Sequence, residues 1–133
     1  MTVTALIVAA GKGERLGGDL PKQYRRIAGK PVLRWAVEAM VRHPSIDQVR
    51  VVVGSGQQDM ALAALEGVRV GDLVEGGAER SDSVINGLQA IDEGAVLVHD
   101  AARPFCPSEV IDRLLDALDG NEGAVPVLPV ADT

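Results

Sequence analysis

The sequence holds a single cysteine, Cys106, and three aromatic residues, Tyr24, Trp35 and Phe105, in a length of 133. One cysteine excludes an intrachain disulfide and any cysteine-rich zinc site, and Cys106 reads as a small apolar residue. So few rings leave no platform for stacking the bases of a single strand. Positive charge is also short. Thirteen Lys and Arg against nineteen Asp and Glu leave a net charge of −6, the wrong sign for a face that grips duplex nucleic acid. No apolar run approaches the roughly 18 residues of a membrane span. Thr2–Ala10 lacks the charged start of a signal peptide and runs straight into a glycine-rich stretch. What remains is ordinary for a folded chain: 47% hydrophobic and 24% charged residues, which rules out disorder as the default. The expectation is one soluble, cytoplasmic domain, with neither a nucleic-acid polymer nor a membrane as partner.

The charge is unevenly spread. Between Lys12 and Arg34 stand seven cations (Lys12, Arg15, Lys22, Arg25, Arg26, Lys30, Arg34) and only two anions, Glu14 and Asp19. A cationic segment on an acidic chain points to a small anionic ligand rather than a polymer. Arg25, Arg26 and Arg34 read as solvated charges.

Val3–Ala9 is a nearly unbroken run of Val, Ile, Leu and Ala, the pattern of a strand buried on both faces. Residues 10–23 carry four glycines and Pro21 and read as loop. Pro31 opens a helix in which Val32, Leu33, Ala36, Val37, Met40 and Val41 share a face, and His43-Pro44 stops it. Val49–Val53 is a second buried-type strand, residues 57–66 a short helix, and Val68–Val74 a third extended segment. Gly76-Gly77 turns the chain, and a helix starts at Ser81 or Ser83. Val96–Val98 forms a strand that ends at His99-Asp100. Ser108 caps a last helix, and Ala124–Val130 reads as a further strand. Strands alternating with helices, each strand continuously apolar, predict an α/β protein with a mainly parallel sheet between helices. Ligands of such sheets sit beyond the carboxyl ends of the strands, so the segments 9–23, 76–83 and 99–104 are expected to meet at one edge.

The first segment suits phosphate. Glycines let a backbone approach an anion closely and aim N–H groups at it. Two familiar phosphate motifs do not fit: a dinucleotide fingerprint needs glycine where Leu16 stands, and a Walker loop needs lysine where Asp19 follows Gly18. A plain tight turn is the alternative. Arg15 and Lys22, flanking the loop, supply fixed positive charge where phosphate charge develops, and Pro21 restricts the backbone before Lys22. Asp100, at the end of a strand, is placed to bind Mg²⁺, or else caps a helix or pairs with Arg103. Arg103 is a candidate for a second phosphate. His99 reads as a structural hydrogen bonder. Gly76-Gly77 with Arg80 and Ser83 either clasps a base or phosphate or begins a helix.

AAGKGERLGGDLPKQ (9–23), GGAERSDSV (76–84) and HDAARP (99–104) together resemble 2-C-methyl-D-erythritol 4-phosphate cytidylyltransferases, enzymes of the non-mevalonate isoprenoid pathway. The first motif is shared with related nucleotidyltransferases for sugar phosphates and the molybdenum cofactor. PKQ and HDAARP point to this member. The resemblance implies a Rossmann-like nucleotidyltransferase fold. It implies CTP and 2-C-methyl-D-erythritol 4-phosphate as substrates and Mg²⁺ as cofactor. Ala9, Ala10, Gly11 and Gly13 then match the loop around the CTP phosphates and ribose. Arg15 and Lys22 match the cations that stabilise the transition state. Gly77 and Ser83 match contacts to cytosine and ribose, and Ala101 lies against the nucleotide. Asp100 matches the metal ligand, while Arg103, Asp132 and Thr133 match the region of the acceptor substrate.

Family chains extend well past position 133. They add a dimerisation arm whose arginine positions the acceptor, then a lysine and a second metal-binding aspartate. The expectation is therefore an N-terminal part (residues 1–133) of a nucleotidyltransferase domain, homodimeric through a segment after Thr133. Some members are fused to the cyclodiphosphate synthase of the same pathway, and the residues present are compatible with either arrangement. Ala78 departs from the polar residue that relatives often carry. Competing readings are another nucleotidyltransferase, a non-catalytic nucleotide-binding module, or an interaction domain in which the glycine loop is only a turn.

Overall fold

The computed structural model describes residues 1–11 and 20–128. Its centre is strand β1 (Val3–Ala9), in which every residue is buried. Parallel neighbours pair with it on both sides: β4 (Gln48–Val53) on one and β6 (Ala95–Asp100) on the other. A short β5 (Val74–Glu75) adds to β4, giving the order β5-β4-β1-β6. This all-parallel sheet explains why β1 reads as a continuous apolar run rather than an alternating one.

Alternate β1 residues face two different layers. Val3, Ala5, Ile7 and Ala9 join a core with Leu33, Val37 and Met40 of α1 (Val32–Val41), Ala61 and Ala64 of α2 (Gln58–Ala64) and Ile111 of α4 (Ser108–Leu118). On the other face lies α3 (Arg80–Gln89). It approaches so closely that a Cβ on Gly87 would stand 2.7 Å from Leu6 and 2.8 Å from Val52. Only glycine fits that contact. Before α1 lie a 3-10 turn, Lys22–Tyr24, and a small antiparallel hairpin of β2 (Arg26–Ile27) and β3 (Lys30–Pro31). The hairpin is tied down by Trp35, whose Nε1 donates to the Ile27 carbonyl at 2.8 Å, with the Lys30 ammonium 4.1 Å above the ring.

The α/β architecture and its parallel sheet are as the sequence predicts. Five local expectations are corrected. Residues 68–73 form no strand: only Val74–Glu75 pair, and Gly71 lies instead against the Arg50 side chain. Helix α3 starts at Arg80, with Glu79 as its cap residue and the Asp82 carboxylate accepting from the Glu79 N–H at 3.2 Å. Ser83 is thus inside the helix. Pro107 rather than Ser108 precedes α4. Residues 124–128 make no strand, with Val125, Val127 and Leu128 at least 79% exposed, and 129–130 lie outside the described residues. Arg34 is not a solvated charge either. It pairs with Glu38 at 3.0 Å and donates to the carbonyls of Ala64 and Glu66, joining α1 to the end of α2.

Candidate active site

All three chemical segments leave the sheet at its carboxyl edge. Backbone bonds hold them there: Ala101 N–H to the Val8 carbonyl at 3.0 Å, and Gly76 N–H to the Val53 carbonyl at 2.7 Å. The second segment is packed directly against the first. A Cβ on Gly76 would stand 2.6 Å from both the Ala10 Cβ and the Ser83 Oγ, so the glycine is what lets the two segments touch. The three segments enclose a cleft of about 380 Å³.

Its floor is Ala9, Ala10 and Gly11, where β1 ends. One wall is the 3-10 turn. Pro21 sets it with φ −55°, the Tyr24 N–H closes it on the Pro21 carbonyl at 3.0 Å, and Lys22 stands exposed at the cleft. Tyr24 anchors the turn in the core, and its burial pushes the phenol up to about 12. Behind this wall the hairpin is held by Glu38, which binds Lys30 at 2.6 Å as well as Arg34. The hydrogen bond from Lys30, foremost, lowers the Glu38 carboxyl below its usual range. The opposite wall comes from Gly77, Ala78, Glu79, Arg80 and Ser83, and from Asp100, Ala101 and Ala102. Ser83, buried in α3, accepts the Gly77 N–H on its Oγ at 3.1 Å. Its own hydrogen remains available to a ligand.

Lys22 and Asp100 therefore share one cleft, with Ala9, Ala10, Gly11, Gly77, Ser83 and Ala101 around it. Gly13, Arg15, Asp132 and Thr133 lie outside the described residues. Arg103 is exposed and absent from the cleft lining; its carbonyl accepts from the His99 ring at 2.8 Å, the structural role read for His99. Asp100 does not pair with Arg103. One carboxylate oxygen accepts the Ala102 N–H at 2.9 Å and the other lies 3.8 Å from the Arg80 guanidinium. Cys106 is partly buried against the core, which raises its thiol.

Two residues gain roles beyond the sequence reading. Arg80, read there as part of a clasp for a base or phosphate or of a helix start, begins α3 and stands beside Asp100. Gln23 is the other: its Nε2 donates to the carbonyls of Ala9 and Gly11, both at 2.9 Å. The only hint of it was the PKQ string.

For a divalent ion the described residues offer two carboxylates in the cleft lining, Asp100 at the end of β6 and Glu79 at the start of α3, and no group of three or more His, Cys, Asp or Glu. That set suits Mg²⁺, which commonly takes one or two carboxylates and completes its shell with water and phosphate oxygens. A glycine-alanine floor, an ammonium, a guanidinium and one carboxylate at strand ends make a receptor for a small polyphosphate.

Solved structures share this fold. A 4-diphosphocytidyl-2C-methyl-D-erythritol synthase superposes with TM-score 0.79 at 37% identity, over 99% of this chain and 62% of that one. A 2-C-methyl-D-erythritol 4-phosphate cytidylyltransferase from Thermus thermophilus gives 0.74 at 36% identity, over 100% of this chain and 57% of that one. Fold and cleft thus define a nucleotidyltransferase-type α/β domain. Residues 3–133 match the family model of IspD, 2-C-methyl-D-erythritol 4-phosphate cytidylyltransferase. A bifunctional enzyme IspD/IspF from Rhizorhabdus wittichii is 60% identical over 99% of this chain, which spans 35% of that protein. The 2-C-methyl-D-erythritol 4-phosphate cytidylyltransferase of Corynebacterium diphtheriae is 47% identical over 98% of this chain and 57% of its own length. The chain belongs to the 2-C-methyl-D-erythritol 4-phosphate cytidylyltransferase family, and spans about a third of the length of the bifunctional relatives it matches. Among the described residues no helix is long and apolar enough to cross a membrane.

Proposed function

We propose that the protein containing this chain transfers a cytidylyl group from CTP to 2-C-methyl-D-erythritol 4-phosphate, and that residues 1–133 form the nucleotide-binding part of that domain. The phosphate monoester oxygen of the acceptor attacks the α-phosphorus of CTP in line. A new phosphoanhydride bond forms, the bond to the β-phosphate breaks, and pyrophosphate leaves. No covalent step falls to the protein, so its work is positioning and electrostatic stabilisation.

The observation that carries the reading is that the Lys22 ammonium and the Asp100 carboxylate line one cleft above the Ala9–Gly11 floor. Lys22, with Arg15, stabilises charge that builds on the α-phosphoryl oxygens and the leaving group. Gly77 and Ser83 hold the base and ribose, with Ala101 against the nucleotide. Asp100 would hold Mg²⁺, which would supply positive charge to neutralise the phosphates. Arg103, Asp132 and Thr133 belong to the acceptor side. The full-length protein on this reading is a cytoplasmic homodimer.

Pyrophosphate release by the full-length protein tests this. CTP with methylerythritol phosphate should give turnover, and other nucleoside triphosphates or sugar-phosphate acceptors should give far less. Preference for another pair assigns a different transferase, and CTP binding without release leaves a binding module. CTP at about a hundred times its Kd should add about 2.7 kcal/mol to stability.

A further inference from the structure

Gln23 is a buried polar side chain that the reaction as described does not use. It is 5% exposed and lies in the 3-10 turn directly after Lys22. Both hydrogens of its Nε2 are committed, one to the carbonyl of Ala9 and one to that of Gly11, 14 and 12 residues earlier, each at 2.9 Å. Ala9 is the last residue of the central strand and Gly11 begins the glycine loop. One side chain therefore ties the far end of the loop segment to its origin.

We infer that Gln23 is a positioning residue for the phosphate site: its single amide clamps the floor of the cleft and fixes where Lys22 stands above it. This rests on the cytidylyl reading of the cleft. Three physical points carry it. The first is chemical fit. Two carbonyl oxygens converging on one atom need a donor with two hydrogens, and a primary amide supplies that without burying a charge. A carboxylate would meet them with repulsion, and an apolar side chain would leave both without this partner. The second is direction. A trans peptide carries its N–H opposite to its C=O, so anchoring the Ala9 carbonyl fixes which way the Ala10 N–H faces. The third is adjacency. Gln23 is joined to Lys22 by one peptide bond, so slack in the clamp moves the Lys22 backbone relative to Ala9–Gly11. Displacing a catalytic group by about 1 Å can cost on the order of a hundredfold in rate.

The test uses Gln23→Met and Gln23→Glu in the full-length protein, followed by pyrophosphate release and thermal melting. Gln23→Met removes both donors at similar volume. Its kcat should fall about ten- to a hundredfold, with KM for CTP changed far less, because the clamp places Lys22 at the reacting phosphate. Gln23→Glu gives a signature that a merely structural side chain would not. As the pH falls, its carboxyl, whose pKa burial raises, takes a proton and regains one donor. The rate of the variant relative to wild type should then climb as pH is lowered from about 8.5 to about 6. A Met variant turning over at the wild-type kcat, or a Glu variant whose profile runs parallel to wild type, overturns the inference. Should Gln23→Met fail to fold, the near-isosteric Glu variant decides alone. A wild-type protein that releases no pyrophosphate instead sinks the cytidylyl reading. Only the ratio of variant to wild type bears on Gln23.

Discussion

The two walls of the cleft are built on opposite plans. On the Lys22 side the holding groups are buried: Gln23 makes two 2.9 Å bonds to the floor, and Tyr24 is 5% exposed. On the Asp100 side the holding pair is long and wet: Arg80 and Asp100 stand 3.8 Å apart with side chains 58% and 40% exposed. Buried hydrogen bonds resist change because breaking one strands a polar group away from water. A half-exposed ion pair costs little to exchange. On the proposed reading, the difference suits each side to different work. One wall is rigid before any ligand arrives, as a group that must meet a transition state needs to be. The other keeps its carboxylate exchangeable, as a site that takes up a hydrated cation needs to be.

The largest effect should come from the rigid wall. Lys22→Ala should lower kcat by about 10²–10³ with the fold intact, since a prepositioned charge is lost where negative charge develops. Pyrophosphate release and the melting curve, measured together, check this. A variant with the parent rate would remove Lys22 from the chemistry. Next is the adjustable wall. Asp100→Asn retains an oxygen to accept the Ala102 N–H but loses the charge. It should raise the Mg²⁺ concentration for half-maximal rate by about tenfold or more. An unchanged titration would take Asp100 out of the metal site.

How much of this contrast is legible in the sequence depends on what kind of signal each part leaves. The rigid sheet is plain, because β1 is apolar at every position and a strand buried on both faces must be. Convergence of the three segments also follows, since parallel strands all end at the same edge. Gln23 is not legible. A glutamine beside a lysine looks solvent-facing, and only the fold shows that its amide turns inward on carbonyls far back in the chain. Asp100 looked as ready to pair with Arg103, its near neighbour in sequence, as to bind metal. Arg103 stays near, its N–H on the Asp100 carbonyl at 3.1 Å, but the guanidinium beside the Asp100 carboxylate is that of Arg80, from α3. Residues 124–128 misled because Val and Leu between prolines carry strand propensity, but propensity without a neighbouring strand makes no ladder.

Two smaller changes sharpen the comparison from the supporting groups. Ser83→Ala deletes the acceptor of the Gly77 N–H in a buried spot. It should cost about 1–2 kcal/mol in denaturant unfolding and raise the KM for CTP more than it lowers kcat. Equal losses in both would place Ser83 with the chemistry rather than with nucleotide binding. Behind the Lys22 wall, Glu38 has a carboxyl lowered chiefly by its bond from Lys30. A lowered acid stabilises the fold above its unfolded pKa, near 4.3, and loses that contribution as pH falls through the folded value. Glu38→Gln should therefore destabilise by about 1 kcal/mol at neutral pH, and the gap should close below about pH 4. A gap that persists into acid would show that the loss is packing rather than charge.

The smallest change is also the sharpest test of the contrast. Arg80→Gln removes the guanidinium 3.8 Å from Asp100 while leaving a side chain long enough to keep its place on α3. A pair this exposed should contribute less than about 0.5 kcal/mol, so unfolding should hardly move. Binding should respond in two directions. Freed of its counter-charge, Asp100 should take Mg²⁺ more tightly, which isothermal titration with the metal and nucleotide reads directly. The cleft also loses a cation, so CTP without metal should bind more weakly. Rigid walls do not behave this way: Gln23→Met should impair turnover, with no change in metal affinity. If Arg80→Gln unfolds the protein by several kcal/mol, the second wall is as fixed as the first, and the division of labour between them is wrong.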